Sequence, residues 1–174
     1  MTTKPNPVWD VYNEFRTARY NVQLYEKLLS RLTRQNLIME AVLAVSVSSV
    51  IAGSWLWESP VGSVFWKVLI TIASFFAVLK PLLKYADKIQ QQTEVLTNWR
   101  LLDAELQKLV FSISQYRKYD DEMRNRFFKL LETKATIIQK EPIDAIDERN
   151  KTECQTLVEK QLPDNIFFVP EETK

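Results

Sequence analysis

Few residues in this sequence combine the types and the spacing that catalysis needs. Among its 174 residues there is no histidine, one cysteine (Cys154) and two glycines. Without histidine the chain lacks the commonest general acid–base, the commonest zinc ligand and the usual partner of a serine or cysteine nucleophile. Two glycines cannot build a glycine-rich phosphate loop, and the carboxylates are not spaced as a set of metal ligands. The sequence therefore predicts no catalytic residues, no metal site, no cofactor and no enzymatic activity.

Arg149 and Cys154 are the pair whose spacing is known from catalysis, because it matches the Arg-to-His spacing of the HEPN ribonuclease motif. Here cysteine occupies the histidine position, and no histidine elsewhere in the chain could replace it. We therefore expect Arg149 to be an exposed surface cation. A lone cysteine also forms no internal disulfide, which suits a reducing compartment.

Two ionisable residues, Glu40 and Lys67, interrupt stretches that are otherwise apolar. If these stretches cross a bilayer, one interpretation is an interfacial ion pair of Glu40 with Lys80 or Lys84, and a Lys67 ammonium that reaches to the headgroups. The other is that one or both residues face a polar lumen, to which Ser46, Ser48, Ser49 and Ser54 add hydroxyls. The candidate pore-lining or intramembrane polar residues are Glu40, Ser46, Ser49 and Lys67.

The elements that hold these residues are two apolar segments, 37–57 and 61–79. Each has about the 20 residues that a helix needs to cross a bilayer, and Ser59, Pro60 and Gly62 supply a tight turn. We therefore predict a two-span transmembrane helical hairpin. The alternative is a soluble hairpin in a large core, which would need more apolar surface than the rest of the chain offers. Two helices cannot enclose a water path, so a pore would need several copies.

The cations on either side of the hairpin predict its orientation. The connecting turn carries only Glu58, whereas both flanks are basic, and basic flanks stay in the cytoplasm. Both termini are therefore expected on the cytoplasmic side, and the N-terminal segment lacks the features of a signal peptide. The flanking cations are Lys27, Arg31 and Arg34 before the first span and Lys80, Lys84 and Lys88 after the second.

Long amphipathic helices are predicted on both sides of the hairpin. Apolar residues at alternating spacings of three and four run from Val8 to Leu32 and from Ala86 to Tyr116, as in a coiled-coil seam. These two stripes could pack on each other within one chain or present a groove to a partner. The candidate oligomer or bundle seam residues are Phe15, Val22, Tyr25, Leu29, Leu96, Trp99 and Leu106.

Two shorter helices should follow, over 120–140 and about 144–161, with Pro142 between them. Asp120-Asp121 is a plausible N-cap for the first of them. The apolar tail Ile166–Pro170 is too short to span a membrane. It could dock on the body, on a neighbouring subunit or on the membrane surface.

The predicted fold class is thus an all-α membrane protein, a two-span hairpin with long cytoplasmic helices in a coiled-coil-like bundle. Its segments are an N-terminal amphipathic helix (1–36), the transmembrane hairpin (37–79), a cytoplasmic helical bundle (80–141) and a C-terminal helix and tail (142–174). With a formal net charge of +1 there is no basic field to attract nucleic acid, so direct nucleic-acid binding is not expected.

Several residues around the hairpin match a known family. Trp9, Tyr12, Arg16 and Ala18-Arg19 precede it, and the segment 80–88, Lys-Pro-Leu-Leu-Lys-Tyr-Ala-Asp-Lys, follows it. In these features the chain resembles the SLATT family, two-transmembrane effectors associated with bacterial nucleotide-signalling and other anti-phage systems. The resemblance covers roughly residues 7–115 and does not account for 120–174. The arrangement is also similar to the small membrane accessory proteins of type VI-B CRISPR loci.

The resemblance implies an effector of the bacterial inner membrane that assembles or opens on infection, depolarises the cell and halts phage replication. It also implies a trigger, either a partner protein of the defence system or a signalling nucleotide. The function expected is therefore a homo-oligomeric pore in the lipid bilayer. The alternative is a non-conducting membrane anchor that recruits a cytoplasmic partner through its helical domain.

Overall fold

The computed structural model describes residues 6–52, 84–141 and 147–170 and, between the first two ranges, residues 64, 68, 71, 72, 74, 75 and 78. Within this part of the chain the regular structure is helical and no strand occurs, which confirms the predicted all-α class. The elements are α1 (Val8–Ala52), α2 (Tyr85–Tyr116), α3 (Asp121–Gln139), α4 (Glu148–Gln161) and a 3-10 turn (Asp164–Ile166).

The predicted membrane hairpin is only partly covered by these residues. Among them, no helix is both long enough and apolar enough to cross a bilayer. The turn at 58–62 and most of the segment 61–79 lie outside the described residues, as do the side chains of residues 45–52. The backbone of α1 continues through residues 37–52 of the first apolar segment, and the described positions between 64 and 78 are helical.

Helix α2 lies between two residues with positive φ. Lys84 precedes it with φ of 45°, and Arg117 follows it with φ of 53°. Both values lie in the left-handed region, which a right-handed helix cannot continue through and which commonly ends one. The helix therefore occupies Tyr85–Tyr116.

Aspartates begin the two C-terminal helices. The Asp120 carboxylate accepts a hydrogen bond from the Met123 amide at 3.0 Å, which confirms the predicted N-cap of α3. The Asp147 carboxylate accepts one from the Arg149 amide at 3.1 Å and caps α4. Each cap satisfies one of the first amides of a helix, which have no partner within the helix itself.

The chain divides into two compact units, Met1–Leu28 with Gln91–Lys174, and Leu29–Gln90. The first unit, called the helical unit below, combines the start of α1 with most of α2, with α3, α4 and the C-terminal tail. Its core is formed by one side of each helix. The buried apolar residues are Val8, Val11, Tyr12, Phe15, Ala18, Val22, Leu24 and Tyr25 of α1; Val95, Leu96, Trp99, Leu102, Leu106, Leu109 and Ile113 of α2; Met123, Phe127 and Ile137 of α3; and Cys154 and Val158 of α4.

The predicted stripes match this core from Val8 to Tyr25 of α1 and from Leu96 to Ile113 of α2. Tyr116, predicted as the last member of the second stripe, is 61% exposed. Leu29 and Leu32 are half-buried and belong to the second unit. The seam of α2 also includes two polar residues, Gln92 and Asp103, which apolar periodicity could not find.

Candidate functional site

The predicted seam residues lie mostly inside the helical unit of a single chain. Phe15, Val22 and Tyr25 of α1 are at most 8% exposed, and Leu96, Trp99 and Leu106 of α2 are at most 3% exposed. The indole Nε1 of Trp99 donates to Glu141 Oε1 at 2.9 Å, which satisfies the buried ring nitrogen. These six residues therefore pack within the chain, while Leu29 is half-buried in the second unit.

Of the predicted intramembrane polar residues, the structure describes the side chain of Glu40. This residue is exposed on α1, and its Oε1 accepts a hydrogen bond from Asn36 Nδ2 at 3.1 Å, one turn earlier. The backbones of Ser46 and Ser49 belong to α1, but their side chains lie outside the description. Lys67 and Lys80 lie outside the described residues.

The C-terminal tail docks on the first turns of α1. We call residues 162–170 the strap. The surface that binds it is called the strap site and consists of Asn6, just before α1, and Tyr12 and Arg16 of α1. Arg16 donates to the Leu162 carbonyl from Nε at 2.9 Å and from Nη2 at 2.6 Å. The Tyr12 hydroxyl donates to the Phe168 carbonyl, and Asn6 Nδ2 donates to the Pro170 carbonyl at 3.0 Å. Three side chains thus bind the backbone of the strap.

Side chains of the strap add aromatic and ionic contacts. The Phe167 ring stacks on the Tyr12 ring, with centroids 4.2 Å apart and planes 18° apart. The Arg16 guanidinium lies 5.0 Å from the Phe167 centroid and forms an ion pair with Asp164. The guanidinium of Arg117, the residue that follows α2, lies 5.6 Å from the Phe168 ring centroid. Stacked rings and cation–π pairs each contribute about 0.5–1.5 kcal/mol, so the strap is held by several modest contacts.

Burial under the strap also affects Tyr12 chemically. Desolvation raises the pKa of Tyr12 to about 12. The hydroxyl therefore keeps its proton at physiological pH and remains a donor to the Phe168 carbonyl. A phenolate at this position would carry charge into a buried site, which costs free energy.

The strap site itself was not among the sequence-predicted residues, although the sequence carried two signals for it. Tyr12 and Arg16 are four residues apart and so share one side of α1. The apolar run Ile166–Val169 lies between Pro163 and Pro170, and each proline disfavours a helical conformation at the residue before it, so a long helix is not expected here. The structure places the tail against the body of its own chain, which is the first of the three alternatives.

An ion pair lies in the seam between α1 and α2. Arg19 Nε is 3.1 Å from Asp103 Oδ1, and the Asp103 side chain is only 12% exposed. Desolvation raises the pKa of Asp103, while the Arg19 charge and hydrogen bond act in the opposite direction. The guanidinium of Arg19 also lies 5.4 Å from the Phe15 ring centroid. The pair joins the two helices at one register.

Other ion pairs join the helices nearer the surface. Glu14 of α1 pairs with Lys134 of α3 at 2.6 Å, Lys27 of α1 with Glu153 of α4 at 2.8 Å, and Glu26 of α1 with Arg100 of α2 at 2.6 Å. Exposed pairs of this kind contribute about 0–1 kcal/mol each. They specify which faces meet more than they stabilise the fold.

The Arg149–Cys154 pair does not form a site. A separation of five residues places the two side chains about 140° apart around α4, and the structure leaves Arg149 exposed while Cys154 is fully buried. Burial raises the pKa of the Cys154 thiol, against the effect of the Lys27 ammonium. A neutral, enclosed thiol is a poor nucleophile, so this pair has neither the geometry nor the exposure of a catalytic dyad.

The described part of the chain contains no group of three or more His, Cys, Asp or Glu residues that could hold a metal ion. In the described geometry the strap site binds the C-terminal tail of its own chain, through three backbone carbonyl groups and one aromatic ring. Comparison with known proteins found no matching family model, no matching curated protein and no matching solved structure.

Proposed function

We propose that this chain is a membrane effector of a bacterial anti-phage system, which oligomerises in the inner membrane and permeabilises it as a pore. The observation that carries the proposal is the set of large apolar side chains that the second compact unit leaves exposed. Its described members, each 42–68% exposed, are Leu37, Ile38, Val64, Val68, Ile72, Phe75 and Val78.

Exposed apolar residues in such number are unusual on a surface that faces water. Val64, Val68, Ile72 and Phe75 follow one another at spacings of four and three, which places them along one side of a helix. Hydrocarbon tails are the surroundings in which such a side is stable. The lengths of the segments 37–57 and 61–79 and the cations that flank them support two spans with cytoplasmic termini.

A pore also needs polar groups inside the membrane. In this proposal Glu40, Ser46, Ser49 and Lys67 provide them, and ionisable residues within spans commonly face a lumen or another polar group. Because two helices cannot enclose water, the pore is a homo-oligomer of hairpins in contact with lipid. The helical unit would then hold the hairpins together and receive the trigger, a partner protein or a signalling nucleotide. The resemblance to the SLATT family supports this role.

Reconstitution of the full chain in liposomes tests the proposal. We expect an oligomer in detergent and release of entrapped ions from the vesicles. Glu40→Gln, together with Lys67→Gln, should change the rate of release or its ion preference, because both remove charge from the proposed lumen. Glu94→Gln removes one carboxylate from an exposed ion pair of α2 and serves as the matched control. A chain that is strictly monomeric and releases no ions at any protein-to-lipid ratio would contradict a pore.

The second candidate is a non-conducting membrane anchor that recruits a cytoplasmic partner. It is favoured by apolar residues that the helical unit leaves exposed, with Leu101 and Phe111 of α2 at 62% and 66% and Phe128 of α3 at 54%. The same liposome experiment separates the two functions. Retention in the membrane without ion release, with loss of partner binding in Leu101→Ser and Phe111→Ser, is the result expected for an anchor.

A further inference from the structure

The strap is bound in a way that depends little on its own fold. Its regular structure is the three-residue turn Asp164–Ile166. The strap site contacts the Leu162, Phe168 and Pro170 carbonyls, which are main-chain groups on either side of this turn. Specificity comes from two side chains of the strap, the Phe167 ring on Tyr12 and the Asp164 carboxylate on Arg16. Side chains of the body thus bind both the main chain of the strap and two of its side chains.

The contact between strap and body is also incomplete. A cavity of about 290 Å³ remains between the strap and the helices, lined by Phe15 and Arg19 of α1, Val110 and Phe111 of α2, and Ile166 and Phe168 of the strap. Beside it Ile166 is 55% exposed and Phe111 is 66% exposed. This cavity is open to solvent rather than enclosed, so the strap covers the apolar surface of the helices only in part.

We propose that the strap site is a peptide-binding surface and that the strap of a second copy of this chain occupies it in exchange for the chain's own strap. Each copy carries both the surface and a segment that fits it. Charge and shape therefore match between two copies as they do within one: Arg16 meets Asp164, and Tyr12 meets Phe167. Exchange of an identical segment re-forms every contact and is a common route to oligomers.

The balance between the two arrangements depends on local concentration. A strap tethered to its own body has an effective concentration on the order of millimolar, so dilute chains keep their own straps. Copies crowded in a membrane reach comparable local concentrations, and exchange then links neighbouring copies. This inference rests on the proposed function for the crowding of copies in a membrane. It adds to that function by naming a contact between two copies.

A labelled peptide tests the surface on the full chain. The probe is a synthetic peptide with the sequence of residues 161–170, and the test variant carries Asp164→Ala with Phe167→Ala, which weakens its own strap. We expect the peptide to bind this variant at least about tenfold more tightly than the native chain, because the native strap competes for the site. Adding Arg16→Gln should weaken binding by about tenfold or more, since a charge-assisted fork is lost.

Lys134→Gln is the matched control, because it removes one cation from an ion pair of α1 with α3 that does not touch the strap. Circular dichroism establishes that each variant keeps its helices. Equal affinity of the peptide for the native chain and the strap variant, or unchanged affinity after Arg16→Gln, would overturn the peptide-binding surface. A scrambled peptide that binds equally well would overturn its specificity.

Photo-cross-linking tests the exchange between copies. A photoreactive amino acid replaces Ile166 in one full-length chain, which is mixed in liposomes with a chain that carries a tag. We expect cross-links from position 166 to Val110 or Phe111 of the tagged chain, more of them as the number of copies per vesicle rises, and few after Arg16→Gln in the tagged chain. Cross-links confined to single chains at every density would overturn exchange. Because ion release is not measured, this result is independent of whether the chain conducts.

Discussion

Asp103 is a carboxylate in the seam of the helical unit, where burial and a neighbouring charge shift its pKa in opposite directions. Its side chain is 12% exposed beside Arg19, and burial raises its pKa above the ordinary 3.8 in spite of the arginine. The folded state therefore binds this proton more tightly than the unfolded state does. By linkage, the contribution of Asp103 to the free energy of unfolding is most favourable at low pH and declines as the pH rises through the folded-state pKa.

Replacing Asp103 by asparagine should remove this decline. We expect the free energy of unfolding of Asp103→Asn, relative to the native chain, to increase as the pH is raised from about 3.8 to neutrality. Urea unfolding in detergent, followed by circular dichroism at several pH values, measures the difference.

Asp120→Asn is the control for the sign of this effect. Hydrogen bonds from Lys118 and from the Met123 amide lower the pKa of Asp120, so its stabilising contribution is present at neutral pH and is lost as the pH falls through the folded-state pKa. The stability of this variant relative to the native chain should therefore decrease as the pH rises. If the stability of Asp103→Asn relative to the native chain stays constant or falls as the pH rises, Arg19 compensates fully for the burial of the Asp103 carboxylate.

At the scale of the helices, the seam between α1 and α2 determines which residues matter for stability. The two sides of α2 differ sharply: Leu106 is 2% exposed, whereas Leu101, five residues earlier, is 62% exposed. The two residues are chemically identical and lie in the same helix, so helix propensity cancels between them.

Leu106→Ala should lower the free energy of unfolding by about 2–5 kcal/mol, because it removes buried methyl groups and leaves a cavity. Leu101→Ala should change it by less than about 0.5 kcal/mol, as surface substitutions usually do. Urea unfolding of the two variants under the same conditions gives both values. A comparable loss in Leu101→Ala would mean that this exposed side of α2 is covered in the assembled protein.

At the scale of the whole molecule, the proposal requires that the turn between the segments 37–57 and 61–79 lies outside the cell while both ends of the chain lie inside. Cys154 is the one cysteine of the sequence and is buried. Its replacement by alanine gives a cysteine-free background for a cysteine-accessibility experiment.

In that background, Ser59→Cys should react with a membrane-impermeant maleimide added to intact spheroplasts. Thr173→Cys, near the C-terminus, should react only after the cells are broken. Mass shift on a gel measures both reactions. Labelling of Thr173→Cys in intact cells, or of neither position from outside, would contradict a hairpin with cytoplasmic termini.

How well the sequence predicts a feature of this fold depends on how far apart in the chain the interacting residues are. The bounds of α3 and α4 follow from local chemistry, with Asp120 and Asp147 as caps and Pro142 and Pro163 as the prolines outside the helices. The seam was predicted through its apolar members but not through Gln92 and Asp103, since periodicity counts apolar residues only. Tyr116 was assigned wrongly because the stripe extends to the end of α2, where it is 61% exposed.

By itself the sequence determined the all-helical class, the Asp120 cap and most of the apolar stripes of α1 and α2, because these depend on residues within a few positions of one another. Tertiary structure alone decided where the tail lies, since Arg16 and Leu162 are 146 residues apart and no local rule connects them. It also decided that Arg149 and Cys154, which have the spacing of the HEPN motif, differ in exposure and lie on different sides of α4. The strap and its site are therefore properties of the folded chain. They form because the Arg16 guanidinium, the Tyr12 hydroxyl and the Asn6 amide donate to three carbonyl groups of the tail.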